Sequence, residues 1–234
     1  MTVDIFVRTY HKDIPWLGHA LASIHKYVTG HRRIIITIPE GQGYLLAHLT
    51  AETVIEVPDM ADGYIGQQLT KMEAWQHTDA DAIIFWDSDV VASEPIDIHQ
   101  EYFFDGKPIL YKTRYSSMPG NPWKGITEKA IGYPVEWEYM RRMPIVHLRD
   151  VLGDCCGWIE RQHGVNLRAY LERQPFKHFS EFNAIGAFVE RFYAEEYAIL
   201  DTEMINMPLN KVHQFWSWGG ITPEVQQQIN NALG

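Results

Sequence analysis

Apolar residues in the first hundred positions fall into short runs separated by stretches with helical spacing. Val3-Asp4-Ile5-Phe6-Val7 is dominated by β-branched and aromatic side chains and predicts a strand. Asp13 then reads as an N-cap with Pro15 in the first turn. Leu17, Leu21, Ile24 and Val28 follow on one helical face. Arg33 to Ile38 predicts a second strand, Tyr44 to Thr50 a short helix, and Thr53 to Val57 a third strand. Ile65, Leu69 and Met72 mark another amphipathic helix. Ala82 to Trp86 is apolar throughout, the pattern of a strand covered on both faces of a sheet.

Strands alternating with helices predict parallel βαβ units and a doubly wound α/β sheet. The alternation then breaks. Lys107 to Tyr111 reads as a further strand, and Ser116 to Pro134, rich in Gly, Pro and Trp, as a long functional loop. Helices are predicted at Arg149 to Gln162, Leu167 to Arg173 and Ser180 to Tyr193, where Phe182, Ile185, Gly186, Val189 and Tyr193 form the buried face. Thr222-Pro223-Glu224 has the signature of a final helix start. No repeat, low-complexity tract or linker interrupts the chain, so residues 1–234 are expected to form one domain.

Composition narrows the class. Apolar residues at 46 % and charged residues at 21 % match an average globular chain and exclude a disordered one. No apolar run approaches the roughly eighteen residues of a membrane helix. Met1-Thr2-Val3-Asp4 lacks the basic start of a signal peptide. The two cysteines, Cys155 and Cys156, are adjacent and cannot tie distant parts of a fold together; without Cys-x-x-Cys spacing they read as packing residues. A soluble, cytoplasmic protein is the expectation.

The net charge of −10 argues against general adhesion to polyanions, but its distribution is uneven. Between Lys107 and Arg149 stand eight basic residues against Glu128, Glu136 and Glu138, a balance of +5 that leaves −15 elsewhere.

The sharpest chemical signal is Asp87-Ser88-Asp89, directly after the apolar strand. In open parallel sheets ligands bind beyond the carboxyl ends of the strands. Two carboxylates at i and i+2 of an extended chain share a side and suit a hard divalent cation, which would relieve their repulsion. Solvated acids decorating a strand end are the plainer alternative.

A strand–helix alternation that ends in an apolar strand plus Asp-x-Asp resembles the GT-A fold of nucleotide-sugar-dependent glycosyltransferases. Gly66-Gln67-Gln68-Leu69-Thr70-Lys71 followed by Ile83-Ile84-Phe85-Trp86-Asp87-Ser88-Asp89 is similar to a bacterial and phage branch of that group. The resemblance covers the first hundred residues well and the rest loosely. It implies a mainly parallel α/β sheet flanked by helices, with a nucleotide-sugar half (1–106) and an acceptor half (107–234) of helices and loops. It further implies a UDP-sugar donor and Mn²⁺ or Mg²⁺ bridging the diphosphate. Arg8, Thr9 and Tyr10 would meet base and ribose, Gln67, Gln68 and Lys71 a phosphate or sugar, Asp87 and Ser88 the ribose, and Asp87 and Asp89 the metal. GT-A enzymes frequently take a third ligand from a histidine near the C-terminus. His213 fits by position, and a histidine ligand would tilt the metal toward manganese.

For the acceptor chemistry, Ser180 reads as an N-cap and Glu181 as a first-turn carboxylate, whose ionised form the helix dipole favours. Glu181 could then accept the proton of an acceptor hydroxyl, with Asp154 a weaker rival and an ordinary helix-start glutamate the alternative. The basic stretch 107–149 also holds Tyr111, Tyr115, Trp123, Tyr133, Trp137 and Tyr139. Cations interleaved with aromatics suit stacked bases on a polyanion, so 5-hydroxymethylcytosine in phage DNA stands as an acceptor beside a saccharide or small glycoside. A non-catalytic sugar-nucleotide or carbohydrate-binding module is the alternative from a different class. A haloacid-dehalogenase phosphatase would place Asp-x-Asp after the first strand, and a nucleotidyltransferase would want a Gly-rich loop there. Arg8-Thr9-Tyr10-His11-Lys12-Asp13 supplies neither.

Overall fold

A computed structural model describes residues 1–120, 123–206 and 210–234. The first half is built as the alternation predicts: β1 (Val3–Arg8), α1 (Ile14–Tyr27), β2 (Ile34–Pro39), β3 (Thr53–Val57), α2 (Gly63–Met72) and β4 (Ala82–Phe85). The segment 44–50 forms only a short 3-10 turn, Gly43–Leu46. Then come β5 (Val90–Ala92), β6 (Lys107–Arg114), α3 (Lys124–Ile131), β7 (Trp137–Glu138) and β8 (Ile145–Leu148). The chain continues through α4 (Arg149–His163), α5 (Leu167–Glu172), α6 (Glu181–Phe192), β9 (Ala198–Asp201), β10 (Val212–Gln214) and α7 (Pro223–Leu233).

Among the described residues the main sheet has the order β8-β4-β1-β2-β3. Its strands are parallel except β8, which runs antiparallel to β4 with Ile145 opposite Phe85. β4 is fully buried, as its unbroken apolar run requires. The fold is therefore mixed α/β with a mainly parallel sheet flanked by helices, compatible with a Rossmann-like architecture. No helix among the described residues is long and apolar enough to cross a membrane.

The expected loop 116–134 is corrected in part. It contains α3, whose Thr127, Ala130 and Ile131 are buried at helical spacing and which ends on left-handed Gly132. Gly125 and the neighbouring Trp and Pro residues mask that period in the sequence. Asn121 and Pro122, within the same expected loop, lie outside the described residues.

Two capping expectations also change. Neither Asp13 nor Ser180 caps its helix with its side chain. Asp13 is drawn instead into hydrogen bonds from Ser88 and Ser217, and Ser180 Oγ accepts from Asn183 Nδ2 at 2.8 Å. Thr222 does cap α7, accepting from Val225 N at 3.3 Å.

α6 is a deeply buried helix of the chain's second half: Glu181 through Val189 are all buried. Tyr139 lies flat along it. Its backbone N donates to Asn183 Oδ1 at 2.9 Å and its hydroxyl to Glu190. A Cβ on Gly186 would fall 2.3 Å from the Tyr139 ring, so only glycine permits the contact. Gly186→Ala is expected to destabilise the fold by roughly 1–3 kcal/mol through overpacking, lowering the melting temperature by several degrees in a calorimetric scan. A variant that melts with the wild type would show that the ring can move aside.

Candidate functional site

Parallel pairing sets the site's location. Phe6 of β1 lies opposite Phe85 of β4, and Trp86 N donates to Phe6 O at 2.9 Å. Arg8-Thr9-Tyr10 and Asp87-Ser88-Asp89 therefore emerge side by side at the carboxyl edge of the sheet. The acidic motif is not extended, as the sequence suggests, but folded into a turn: Val90 N donates to Asp87 O at 3.1 Å, and Trp86 Nε1 to Val90 O at 2.8 Å. The turn sends the two carboxylates to different neighbours.

Asp87 goes to Lys71. The Lys71 ammonium is 2.7 Å from Asp87 Oδ1 and 3.3 Å from Glu181 Oε1, and 5.0 Å above the Phe182 ring. Burial works against the lysine's charge, but the two carboxylates outweigh it and its pKa is raised. Burial likewise raises Glu181, with Lys71 opposing that shift. Lys71 is thus an internal counterion rather than a free cation. Gln68, one turn earlier on α2, accepts from Glu181 N at 3.2 Å and takes over the capping work left undone by Ser180. Gln67 is partly buried on the same helix.

Asp89 goes to the C-terminal segment. Its Oδ2 accepts from Ser217 N at 2.8 Å, while its Oδ1 is buried with no partner. Asp13 Oδ2 accepts from Ser217 Oγ at 3.3 Å and from Ser88 Oγ at 3.4 Å. Burial, then the nearby Asp87 and Asp13, push Asp89 up to about 6. Burial raises Asp13 as well, against its two serine hydrogen bonds. Sequence reasoning missed both Asp13 and Ser217. Asp13 looked like an ordinary cap, and nothing in Trp216-Ser217-Trp218 announces a backbone donor. Trp216 holds a left-handed backbone (φ 58°), a conformation costing roughly 1–3 kcal/mol for a bulky residue, and Trp218 is 87 % exposed.

On the β1 side, Arg8 is buried, with its Nε unpartnered and Asp59 only at 3.7 Å; Thr9 Oγ1 is also buried and unpartnered. Burial lowers the Arg8 pKa, partly offset by Asp59. Tyr10 stands 38 % exposed beside them.

Other expected residues lie elsewhere. Asp154 accepts from the Tyr193 hydroxyl at the far end of α6, about 18 Å of helix from Glu181. His213 sits on β10 with Nε2 3.1 Å from Ser93 Oγ. Among the described residues no three His, Cys, Asp or Glu side chains gather as a metal-holding group, so the Asp87, Asp89 and His213 triad is not assembled. Asp87 is engaged by Lys71, and His213 faces Ser93. The unpartnered Asp89 Oδ1 is nevertheless the hard, anionic oxygen that Mg²⁺ or Mn²⁺ accepts. Such ions need only one or two carboxylates when a ligand's phosphates and water complete the shell.

Part of the basic segment is paired with carboxylates in three dimensions. Lys112 pairs with Glu190, Arg114 with Glu136 at 3.3 Å, Arg141 with Glu138 at 2.8 Å and Arg149 with Asp150 at 2.9 Å. Lys112 and Arg114 also lie over Trp137, beside an open cleft of about 320 Å³ that Tyr133, Glu136, Trp137 and Arg191 help to line.

No protein-family model matches this chain, and no curated protein matches it.

Asp89 yields a pH test. Its folded value, about 6, lies above its ordinary 3.8, so the folded state binds more protons than the unfolded chain between those values. Stability contributed by this group is present below that window and falls as pH rises through it. Without added cations, Asp89→Asn should melt above the wild type near neutral pH by about 1–2 kcal/mol, and level with it near pH 4. Equal melting temperatures at both pH values would remove the charge penalty.

Proposed function

We propose that the chain is a metal-dependent glycosyltransferase that moves a sugar from a nucleotide-sugar, a UDP-sugar by resemblance, to a hydroxyl acceptor. The observation that carries this reading is the buried, unpartnered Asp89 oxygen at the carboxyl edge of the sheet, beside the Lys71–Glu181 pair.

Asp89 would hold a Mn²⁺ or Mg²⁺ ion through Oδ1 while Oδ2 keeps Ser217. When bound, the ion supplies positive charge opposite a departing nucleoside diphosphate. The Arg8 guanidinium and the Thr9 hydroxyl, both with buried unsatisfied polar atoms, gain hydrogen bonds when a polar donor molecule enters. Tyr10 would offer its exposed ring to the base, and Asp87, anchored through Oδ1 to Lys71, would accept from the ribose hydroxyls through its other oxygen. Glu181 is the proton acceptor. Burial raises its proton affinity, and Lys71 restrains that rise and fixes its position.

A saccharide or small glycoside is the acceptor this arrangement favours. Lys112, Arg114, Arg141 and Arg149 are each paired with a carboxylate, which weakens any grip on a phosphate backbone. In this reading 5-hydroxymethylcytosine DNA is the acceptor to be tested against it.

Incubation with a panel of sugar nucleotides should release nucleoside diphosphate in a Mn²⁺- or Mg²⁺-stimulated reaction, followed by mass spectrometry of glycosides and hydroxymethylcytosine DNA. Asp89→Ala should abolish release with an unchanged circular dichroism spectrum, and Glu181→Gln should slow transfer by about 10²–10⁴. Full turnover in Asp89→Ala defeats the metal-site reading. Donor binding without turnover in the wild type makes the chain a binding module.

A further inference from the structure

We infer that Trp216 and Trp218 form the ring-binding wall of the site and stack on the pyranose of a saccharide acceptor. This inference rests on the sugar-transfer reading above but does not require that turnover occur.

Three observations carry it. The first is exposure: Trp218 is 87 % and Trp216 57 % exposed, although indoles are the largest apolar side chains and normally find cover. The second is anchorage. Between the two indoles, Ser217 is fixed by its backbone N to Asp89 Oδ2 at 2.8 Å and by its hydroxyl to Asp13 Oδ2 at 3.3 Å. On the preceding side Phe215 N donates to Asp89 O at 3.0 Å, and the Phe215 ring stacks on Trp16 at 6.2 Å. The backbone that carries the two indoles is therefore held beside the carboxylates rather than on a loose tail. The third is chemistry. The carboxylate that anchors Ser217 also carries the buried, unpartnered Asp89 oxygen, so two exposed aromatic residues flank a residue tethered to an unsatisfied anionic acceptor.

A pyranose matches that combination. Its axial C–H face packs on an aromatic ring, while its hydroxyls reach carboxylates at the rim. A nucleobase also stacks, but it would bring its phosphates toward Asp13, Asp87 and Asp89, which repel them unless a cation intervenes. Without added metal, the neutral sugar is the better occupant.

The test uses the full chain labelled with 5-fluorotryptophan and followed by ¹⁹F NMR. The Trp216 and Trp218 signals are assigned from Trp216→Phe and Trp218→Phe. Maltose, cellobiose, lactose and N,N′-diacetylchitobiose are titrated separately, and UDP alone forms a further arm, all without metal. At least one disaccharide should shift both signals saturably while the other six tryptophans stay in place. Trp218→Ala should weaken that binding by about tenfold, since loss of one aromatic contact is worth about 1.4 kcal/mol. Silence of both signals with all four disaccharides overturns the inference, as does a response to UDP alone. If disaccharides shift the two indoles but no sugar nucleotide is ever turned over, the wall stands and the transferase reading falls. If turnover occurs while both indoles stay silent, the reverse holds.

Discussion

A single buried ammonium group ties the molecule's two halves together. Lys71 reaches from α2 to Asp87 at the end of β4 and to Glu181 at the start of α6. Removing the ammonium would leave two carboxylates without their counterion, a larger penalty than the ion pairs' net contribution to stability. The ammonium therefore specifies geometry more than it adds free energy. It fixes where a helix from the second half begins relative to a strand end from the first, and Gln68 repeats the tie through the Glu181 backbone.

That tie explains why two aspartates of one short motif have different fates. Asp87 carries its counterion within the protein. Asp89 has backbone N–H as its only described hydrogen-bond donor, and its neighbours Asp87 and Asp13 are anions. The turn between β4 and β5 separates the two, so one acid is tied to an internal counterion and the other carries unrelieved electrostatic stress while buried.

Much of the first half was legible in the sequence because local rules and tertiary demands agree there. The runs at 3–7 and 82–86 are strands, and the 65–72 period is a helix capped by Asp62. The carboxyl-edge location of Asp87 and Asp89 followed from that alternation alone. What could not be read depends on contacts between distant residues. α3 hides behind glycine and proline. Asp13 abandons its helix for two serines, one of them more than two hundred positions away. The charges of 107–149 look unbalanced along the chain and are offset in part in space by Glu190 and Asp150, which lie outside the segment. Ion pairs of this kind leave no periodicity for a pattern to reveal.

The C-terminal region is held on both sides. β10 pairs with β5, and α7 buries Ile229 while its final turn accepts hydrogen bonds from Lys26 and Tyr27 of α1. The residues between them thus form a bridge with two fixed abutments instead of a dangling end. Fixing a short closed span removes far less chain entropy than capturing a free one. Whatever presses on this bridge is met by a surface that has already given up most of its freedom.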